Sequence, residues 1–506
     1  MNSYLKLKNN LLTLFSALLG AVIIISSAHA SELKLTASDA VPGDTFGLWL
    51  SVNDDVAIVG APVGCPGGYC SVGMTPGPGS KAYVFRFDGQ TWIEEAILNP
   101  SDETTRFGFS VDIDGDLAVV GATLDNELGN GAGAAYVYRR IGSTWVQEAK
   151  LLAADGAPGH QFGIPARIDG DTILVGAHQD DANGARSGSA YIFRFENDQW
   201  VQEAKLLPDD SASRQTFGNA GDIEGNLVVV GALRDDEMGA NSGAAYLFRR
   251  NGSVWTQDVK LVATVPENGA NFGRSVALSD DTLVIGAQWD DEGGEDAGAA
   301  YIFRHDGTRW FEEAKLIASD TAQDSWFGFA VGVSGDVAVV GAHRKDDEQT
   351  ESGAVYVYRF ILGEWVEEHK LIPANISDGD NFGWSVGVSG SWVMGGTPLD
   401  DDIGMAAGAV VAFDLEEPVD GMEIDCEDIR RFTASCGTNR VIRGVVQLED
   451  STHDDETIVF AIDELETEVT INGNRATLNR RSTTGSHVIS LLDPAQCLAD
   501  ITVNCP

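Results

Sequence analysis

The sequence predicts an all-β chain: a seven-bladed β-propeller closed by its N-terminal strand, followed by a small disulfide-stapled all-β domain of sandwich-like character. Three observations carry this expectation. Phe-Gly recurs at Phe46, Phe107, Phe162, Phe217, Phe272, Phe327 and Phe382, first after 61 residues and then always after 55. A fixed long period is the mark of a repeat architecture. Within each period the pattern reads as four strands, with no helical periodicity. Finally, the seventh unit stops at Val410-Val411-Ala412-Phe413 without its fourth strand, while residues 32–39 (ELKLTASD) match residues 313–320 (EAKLIASD) almost letter for letter. The first strand is therefore expected to complete the last blade and clasp the ring, which removes the exposed sheet edges of an open array.

Residues 1–30 read as a secretory signal. Lys6 and Lys8 give the basic start, residues 11–25 the apolar stretch, and Ala28-His29-Ala30 a small-x-small cleavage site. The mature chain is expected to be secreted, whether extracellular, surface-held or periplasmic. No later run of about 18 apolar residues occurs, so no membrane span is expected. The propeller is assigned to 31–415 and the C-terminal domain to 419–506.

The second unit serves as the type. Residues 107–113 alternate, and Asp114-Gly115 makes a two-residue hairpin turn. Residues 116–120 form a short apolar run suited to a buried strand. An acidic, glycine-rich loop over 125–133 leads to a third strand at 134–139, and a turn at 141–143 leads to a fourth at 145–152.

The Phe-Gly and Val-Gly-Ala signatures resemble the FG-GAP repeats of the integrin α-subunit propeller. The fuller pattern, with Ser242-Gly243-Ala244-Ala245-Tyr246 and Trp145 five residues before Lys150-Leu151, is more similar to bacterial FG-GAP repeat proteins. The resemblance spans about three quarters of the chain and implies an extracellular binding or adhesion scaffold rather than one shared reaction. Integrin-type repeats hold calcium in the first hairpin loop. Here that loop has shrunk to Asp114-Gly115, Asp169-Gly170, Glu224-Gly225, Ser334-Gly335 and Ser389-Gly390, too short to wrap an ion with several oxygens. No calcium ligands are carried over.

The loop between strands two and three supplies the first candidate site: Asp125, Asp180, Asp181, Asp235, Asp236, Asp290, Asp291, Asp346, Asp347, Asp400 and Asp401. If these share one rim, they form a concentrated negative field that could recruit divalent ions, calcium among them, or a basic partner, and a protein or carbohydrate ligand is expected on that face. The competing reading is local, since Asp and Asn also hold glycine-rich turns through backbone N–H groups. A second candidate is a channel patch of Asp112, Arg167 and Asp222, at equivalent places on three successive innermost strands, read either as an active site or as a mutual ion-pair cluster. One tryptophan per blade (Trp92, Trp145, Trp200, Trp255, Trp310, Trp365) reads as inter-blade packing or as a ring of sugar-stacking platforms.

The first blade departs from the others, with Cys65 and Cys70 bracketing a glycine-containing gap that can close a small disulfide in an exported protein. The C-terminal segment carries Cys426, Cys436, Cys497 and Cys505, whose three possible pairings sequence cannot choose among. Asn472-Gly473 there signals a hairpin. A net charge of −44 argues against nucleic acid and anionic membrane surfaces. No catalytic triad, zinc motif or cofactor motif occurs. The expected function is a secreted, non-enzymatic binding or adhesion scaffold working through the loop-rich face; the alternative is a propeller enzyme or lectin acting on polysaccharide.

Overall fold

The computed structural model of the chain describes residues 31–63, 79–104, 106–347, 349–361 and 363–415, and beyond them seven strands between 429 and 505. The expected signal segment, Cys65, Cys70, Cys426 and Cys497 lie outside the described residues, as does the pairing of the C-terminal cysteines. The chain divides into two compact units, 1–416 and 417–506.

The first unit is seven antiparallel sheets of four strands each. Six are made of consecutive strands within 49–98, 107–151, 166–206, 221–261, 275–316 and 330–371, numbered here as blades 1 to 6. Blade 7 consists of Val386–Ser389, Trp392–Thr397 and Ala409–Asp414, with Ser31–Leu35 as its fourth strand. The closing strand is in register, Leu33 opposite Ala412 and Leu35 opposite Val410. Glu32 accepts the Ala374 N–H at 2.9 Å, the place taken by Gln202 and Gln257 in complete blades. The ring is thus closed by the two ends of the repeat region, as the repeated Glu-x-Lys-Leu segment predicts.

The period follows from packing. The second strand of every blade except blade 2 is buried at all its residues, because it is covered by a blade on each side. The seven Phe-Gly phenylalanines are all fully buried. Phe162, for instance, packs among Val119, Ala135 and Val137 of blade 2 and Ile173, Val175 and Tyr191 of its own blade. Its ring meets Tyr191 edge-on at 5.4 Å, a favourable aromatic geometry.

The glycines explain why the motif is Phe-Gly and Gly-Ala. The Gly-Ala glycine of each blade lies against the Phe-Gly glycine of the next. A Cβ added at Gly60, Gly121, Gly176, Gly231, Gly286 or Gly341 would overlap the carbonyl oxygen of Gly108, Gly163, Gly218, Gly273, Gly328 or Gly383, and one at Gly396 would overlap Gly47 across the closure.

The innermost strands of neighbouring blades are not paired into a sheet, and side chains hold them instead. Asp114 accepts the Gly170 N–H at 2.8 Å, Ser279 the Gly335 N–H at 3.2 Å, and Ser389 the Asp54 N–H at 3.0 Å across the closure. Asp169 and Glu224 bond to the Gly225 and Asp280 N–H groups in the same way. The shrunken turns are therefore blade-to-blade fasteners.

The C-terminal unit has two antiparallel sheets. One runs Ile429–Cys436, Val441–Leu448, Arg475–Arg481; the other runs Leu465–Thr470, Thr457–Ile462, Gly485–Asp493, Ile501–Cys505. The hairpin expected around Asn472-Gly473 is not formed by its flanking strands, which belong to different sheets: Leu465–Thr470 pairs with Thr457–Ile462, and Arg475–Arg481 with Val441–Leu448. The short-range turn signal is outweighed by pairing on both sides.

Three outcomes follow. Gly121→Ala, which drives a methyl into the Gly163 carbonyl, should lower unfolding free energy by about 3 kcal/mol in urea titration. Gly142→Ala, at an open turn with nothing near it, should lose only about 1 kcal/mol. Removing residues 31–37 should expose the edge of Ala409–Asp414, drop the melting temperature by 10 °C or more (on the order of the loss of one strand) and turn a monodisperse chain into higher oligomers on size exclusion.

Candidate functional site at the mouth of the channel

The acidic loops are built as local braces. In blades 2 to 5 the first aspartate is nearly inaccessible: Asp125, Asp180, Asp235 and Asp290 are each 2 % exposed or less. Each sits between a tyrosine hydroxyl and a lysine of its own blade. Asp180 accepts Tyr191 Oη and Lys205 Nζ, both at 2.8 Å, and Asp235 accepts Tyr246 Oη at 2.8 Å and Lys260 Nζ at 3.0 Å. In blade 7 Lys34 of the closing strand supplies the ammonium to Asp400 at 2.5 Å. The Lys150 and Lys205 ammoniums, with backbone or hydroxyl donors, hold the Asp125 and Asp180 carboxyls below the ordinary carboxylate range against the opposing effect of burial.

The second acid staples the loop. Asp181, Asp236, Asp291 and Asp346 accept the N–H five residues on, all at 2.7 Å. In blade 6 the expected alignment shifts by one: Lys345 stands where the other blades have the buried aspartate, and Asp346 and Asp347 fill the second and third places, with Asp347 paired to Lys370. Asp401 is exposed on the blade 7 loop. Among the described residues no group of three or more His, Cys, Asp or Glu side chains is placed to hold a metal ion.

The channel patch lies on the first strands of blades 2, 3 and 4. Asp112 accepts Ser51 Oγ at 2.6 Å and the Ile168 N–H at 2.8 Å; Asp222 accepts the Leu278 N–H at 2.8 Å. These are blade-to-blade fasteners like the turn residues. Arg167 between them donates to the Ala166 and Val111 carbonyls at 3.0 and 3.4 Å, with no close ion pair to either aspartate. Burial raises both carboxyls, Asp222 to about 7, with Arg167 opposing the rise.

The tryptophan ring is inter-blade packing. Trp200, Trp255 and Trp365 donate their indole N–H to Glu148, Glu203 and Glu313 of the preceding blade at 2.9 Å. The same glutamates take the cross-strand or neighbouring-blade arginines, as in Arg139–Glu148 and Arg250–Glu203.

What the sequence reading missed is a cavity of about 380 Å³ at one end of the channel. Its charged lining is Arg106, Arg186, Arg234 and Arg274, and among the described residues no carboxylate lines it. The cations come from blades 2 to 5. The aromatic lining, Trp49, Phe109, Phe329 and Trp384, comes from blades 6, 7, 1 and 2. A smaller space of about 60 Å³ shares Trp49, Arg274, Phe329 and Trp384 with it and reaches Arg167, so the mouth narrows toward the channel.

These side chains issue from fixed backbone positions. The residue before every Phe-Gly is left-handed, from Thr45 at φ 52° through Arg106 at 58° and Gln161 at 55° to Asn381 at 60°. From blade 3 onward its N–H is held by a loop carbonyl of the preceding blade, as Gln161 by Gly131 and Thr216 by Arg186. Arg186 itself is left-handed, at φ 54°. Such strain is maintained only where the surroundings over-determine it. Stacking orients two of the arginines: Arg274 lies 4.0 Å over Phe329 and Arg106 5.5 Å over Phe109.

Two histidines register the field. His178 lines the cavity, and burial together with Arg186, Arg234 and Arg274 lowers it to about 4. His343, packed between Phe329 at 4.2 Å and Trp384 at 4.5 Å, is held well below its ordinary value by burial, Arg274 and Arg344. Both are neutral imidazoles at pH 7. Gln179 Nε2 donates toward His178 Nε2 at 3.3 Å, which leaves the ring hydrogen on Nδ1, a buried atom without a protein partner.

A carboxyl whose native pKa is raised stabilises least where it must ionise. The Asp222 contribution declines as pH rises from the unfolded carboxylate value of about 3.9 to about 7, and is level above that. Asp222→Asn should therefore gain stability over the parent at pH 8, with the gap narrowing by at least about 1 kcal/mol at pH 5 in urea unfolding. An equal gap at both pH values would show that the carboxyl is not desolvated.

Among solved structures, the matches include two variants of exo-β-1,3-galactanase from Phanerochaete chrysosporium, each with β-1,3-galactotriose. One has 9 % identity and a TM-score of 0.30 over 67 % of this chain and 95 % of that one; the other has 8 % identity and the same TM-score over 68 % and 97 %. A likeness of that size says nothing of activity. No curated protein matches the chain. The FG-GAP repeat model matches seven times, at residues 30–85, 92–138, 145–193, 200–248, 255–303, 310–358 and 365–413. With more than half of its length in those repeats and seven blades built on their phenylalanines and glycines, the chain belongs to the FG-GAP repeat family.

Proposed function

We propose that this chain is an exported, non-enzymatic binding scaffold that takes an anionic ligand in the mouth of its propeller. The observation that carries the reading is the convergence of four arginines on one cavity whose described lining holds no carboxylate, in a chain of net charge −44. Guanidinium forks bind carboxylate, sulfate or phosphate with two parallel hydrogen bonds each, and such charge-assisted bonds are the strong ones. The ligand face is thus the loop-rich face expected from the sequence, with the opposite sign of charge at its centre. The aspartates of the acidic loops are not the ligand contacts in this account, although Arg186 and Arg234 stand on the same loops; the first aspartates are consumed by tyrosine and lysine.

The non-enzymatic reading is supported by the occupation of the channel carboxylates. Asp112 and Asp222 are committed to backbone N–H groups of the next blade. Export, the small sandwich form of the C-terminal unit, its closure by disulfides among Cys426, Cys436, Cys497 and Cys505, and the Cys65–Cys70 loop all belong to this proposal, since disulfides persist in oxidising compartments. The C-terminal unit serves attachment or spacing. No metal or cofactor takes part.

Calorimetric titration of the mature chain, in the presence of EDTA, with sulfate, an oligogalacturonate, an acidic peptide and their neutral counterparts tests the reading. Anionic probes should bind and neutral ones not, with affinity falling as salt rises. The double variant Arg186→Ser/Arg234→Ser should lose at least about tenfold in affinity. Its melting temperature should hold, because both side chains are exposed. Absence of binding by every anion would overturn the proposal.

A further inference from the structure

The mouth is sorted rather than uniformly basic, and that sorting narrows the ligand. Its cations sit on one arc, from blades 2 to 5, and most of its aromatic surface on the facing arc, Phe329, Trp384 and Trp49 from blades 6, 7 and 1. Within the cationic arc, blade 3 adds a neutral side chain with spare hydrogen-bonding capacity. Gln179 donates to Gln161 at 2.9 Å, a bond that uses one acceptor of Gln161 and leaves its own two N–H groups. A ligand matching all three features carries an anionic group on one side, a flat C–H face on the other and a hydroxyl near the anionic group, within reach of the Gln161 amide.

Size and long-range charge select further. A cavity of about 380 Å³ that tapers to about 60 Å³ lies at the small end of ligand sites, so it takes a chain end rather than a passing polymer. Outside it, the third acids Glu127, Glu237 and Glu292 are each more than half exposed and paired with the lysine of their blade, but that one lysine is shared with further carboxylates, as Lys260 is by Asp210, Asp235 and Glu237, so the loops keep a net negative charge that repels further anions. One anion at a terminus is favoured over a polyanion.

We propose that the mouth binds the terminal acidic sugar of an otherwise neutral glycan, its carboxylate toward Arg186 and Arg234 and its ring face on the Trp384 and Trp49 side. This rests on the anion-binding reading above and deepens it. Uronate and sialate caps share the chemistry, a pyranose bearing one carboxylate, and both belong in the test.

Titrations of the mature chain, followed by calorimetry and tryptophan fluorescence, would compare a neutral oligosaccharide capped with glucuronate, the same chain capped with sialate, the same chain capped with glucose, an oligogalacturonate and free sulfate. At least one acid-capped chain should bind at least about tenfold more tightly than the glucose-capped chain and than sulfate, and should perturb tryptophan emission. Trp49→Ala should remove most of that gain while sulfate affinity stays within about twofold; should Trp49→Ala unfold, Gln161→Ala supplies the same comparison. Sulfate and oligogalacturonate binding as tightly as both capped chains would overturn this inference and leave the anion-binding reading standing. No binding by any anion would overturn both, and equal binding of acid- and glucose-capped chains would overturn this one.

Discussion

The whole ring depends on two backbones touching where no side chain can intervene. Each blade presents the glycine of its second strand to the Phe-Gly carbonyl of the next, from Gly60 against Gly108 to Gly396 against Gly47. The contact sets the blade spacing near the axis, and the buried phenylalanine beside it sets the spacing farther out. Because both come from adjacent residues of the motif, one dipeptide fixes the angle between blades. Seven equal angles must then add to a full turn, and the in-register pairing of Leu33 with Ala412 shows that they do.

Charge is used in layers. The outer layer couples arginine, glutamate and tryptophan between blades, the loop layer couples lysine, aspartate and tyrosine within them, and the axial layer ties carboxylates and serines to the next blade's N–H groups. Most of these acids are therefore bound to donors before any ligand arrives. Isolated surface pairs contribute little, but networks whose central aspartate is buried, such as Asp235 with Tyr246, Lys260 and Gln215, are costly to break. A strongly acidic composition thus says less about partners than its net value suggests.

The fold was legible because packing demands repeat. Phe-Gly, Gly-Ala and the lysine-leucine strand recur since every interface has the same need, and the missing fourth strand of blade 7 could be matched to residues 32–39. The site was not legible by the same logic. Part of it is made where the repeat fails to repeat: Arg106, Gln161 and Thr216 line the mouth from a backbone place that Asn271, Trp326, Asn381 and Thr45 share in other blades, with little chemistry in common. Reading down that column, and down the place after Phe-Gly where Phe109, Arg274, Phe329 and Trp384 fall, would have gathered part of the mouth from sequence, while Arg186, Arg234 and Trp49 lie in neither column. The acidic column drew notice instead because it recurs, and recurrence there reflects turn-holding. In the C-terminal unit the local Asn-Gly signal misled for the converse reason, since strand partners set by long-range pairing override a two-residue turn.

A positive mouth inside a negative molecule also constrains how binding must work. At distances beyond the Debye length of about 8–10 Å the ligand meets the net charge, and approach of an anion is opposed rather than steered. Inside the cavity the arginines dominate, the guanidiniums of Arg274 and Arg106 held on Phe329 and Phe109 and partly shielded from water. Burial lowers the Arg106 guanidinium from its ordinary value, the signature of a cation short of solvent. Moderate salt screens the outer repulsion more than the inner attraction, so added salt should speed association while loosening the bound state. That separation of sign by depth discriminates against polyanions without any steric gate: every further charge on a ligand that stays outside the mouth weakens its binding, whereas the first one, seated within, strengthens it.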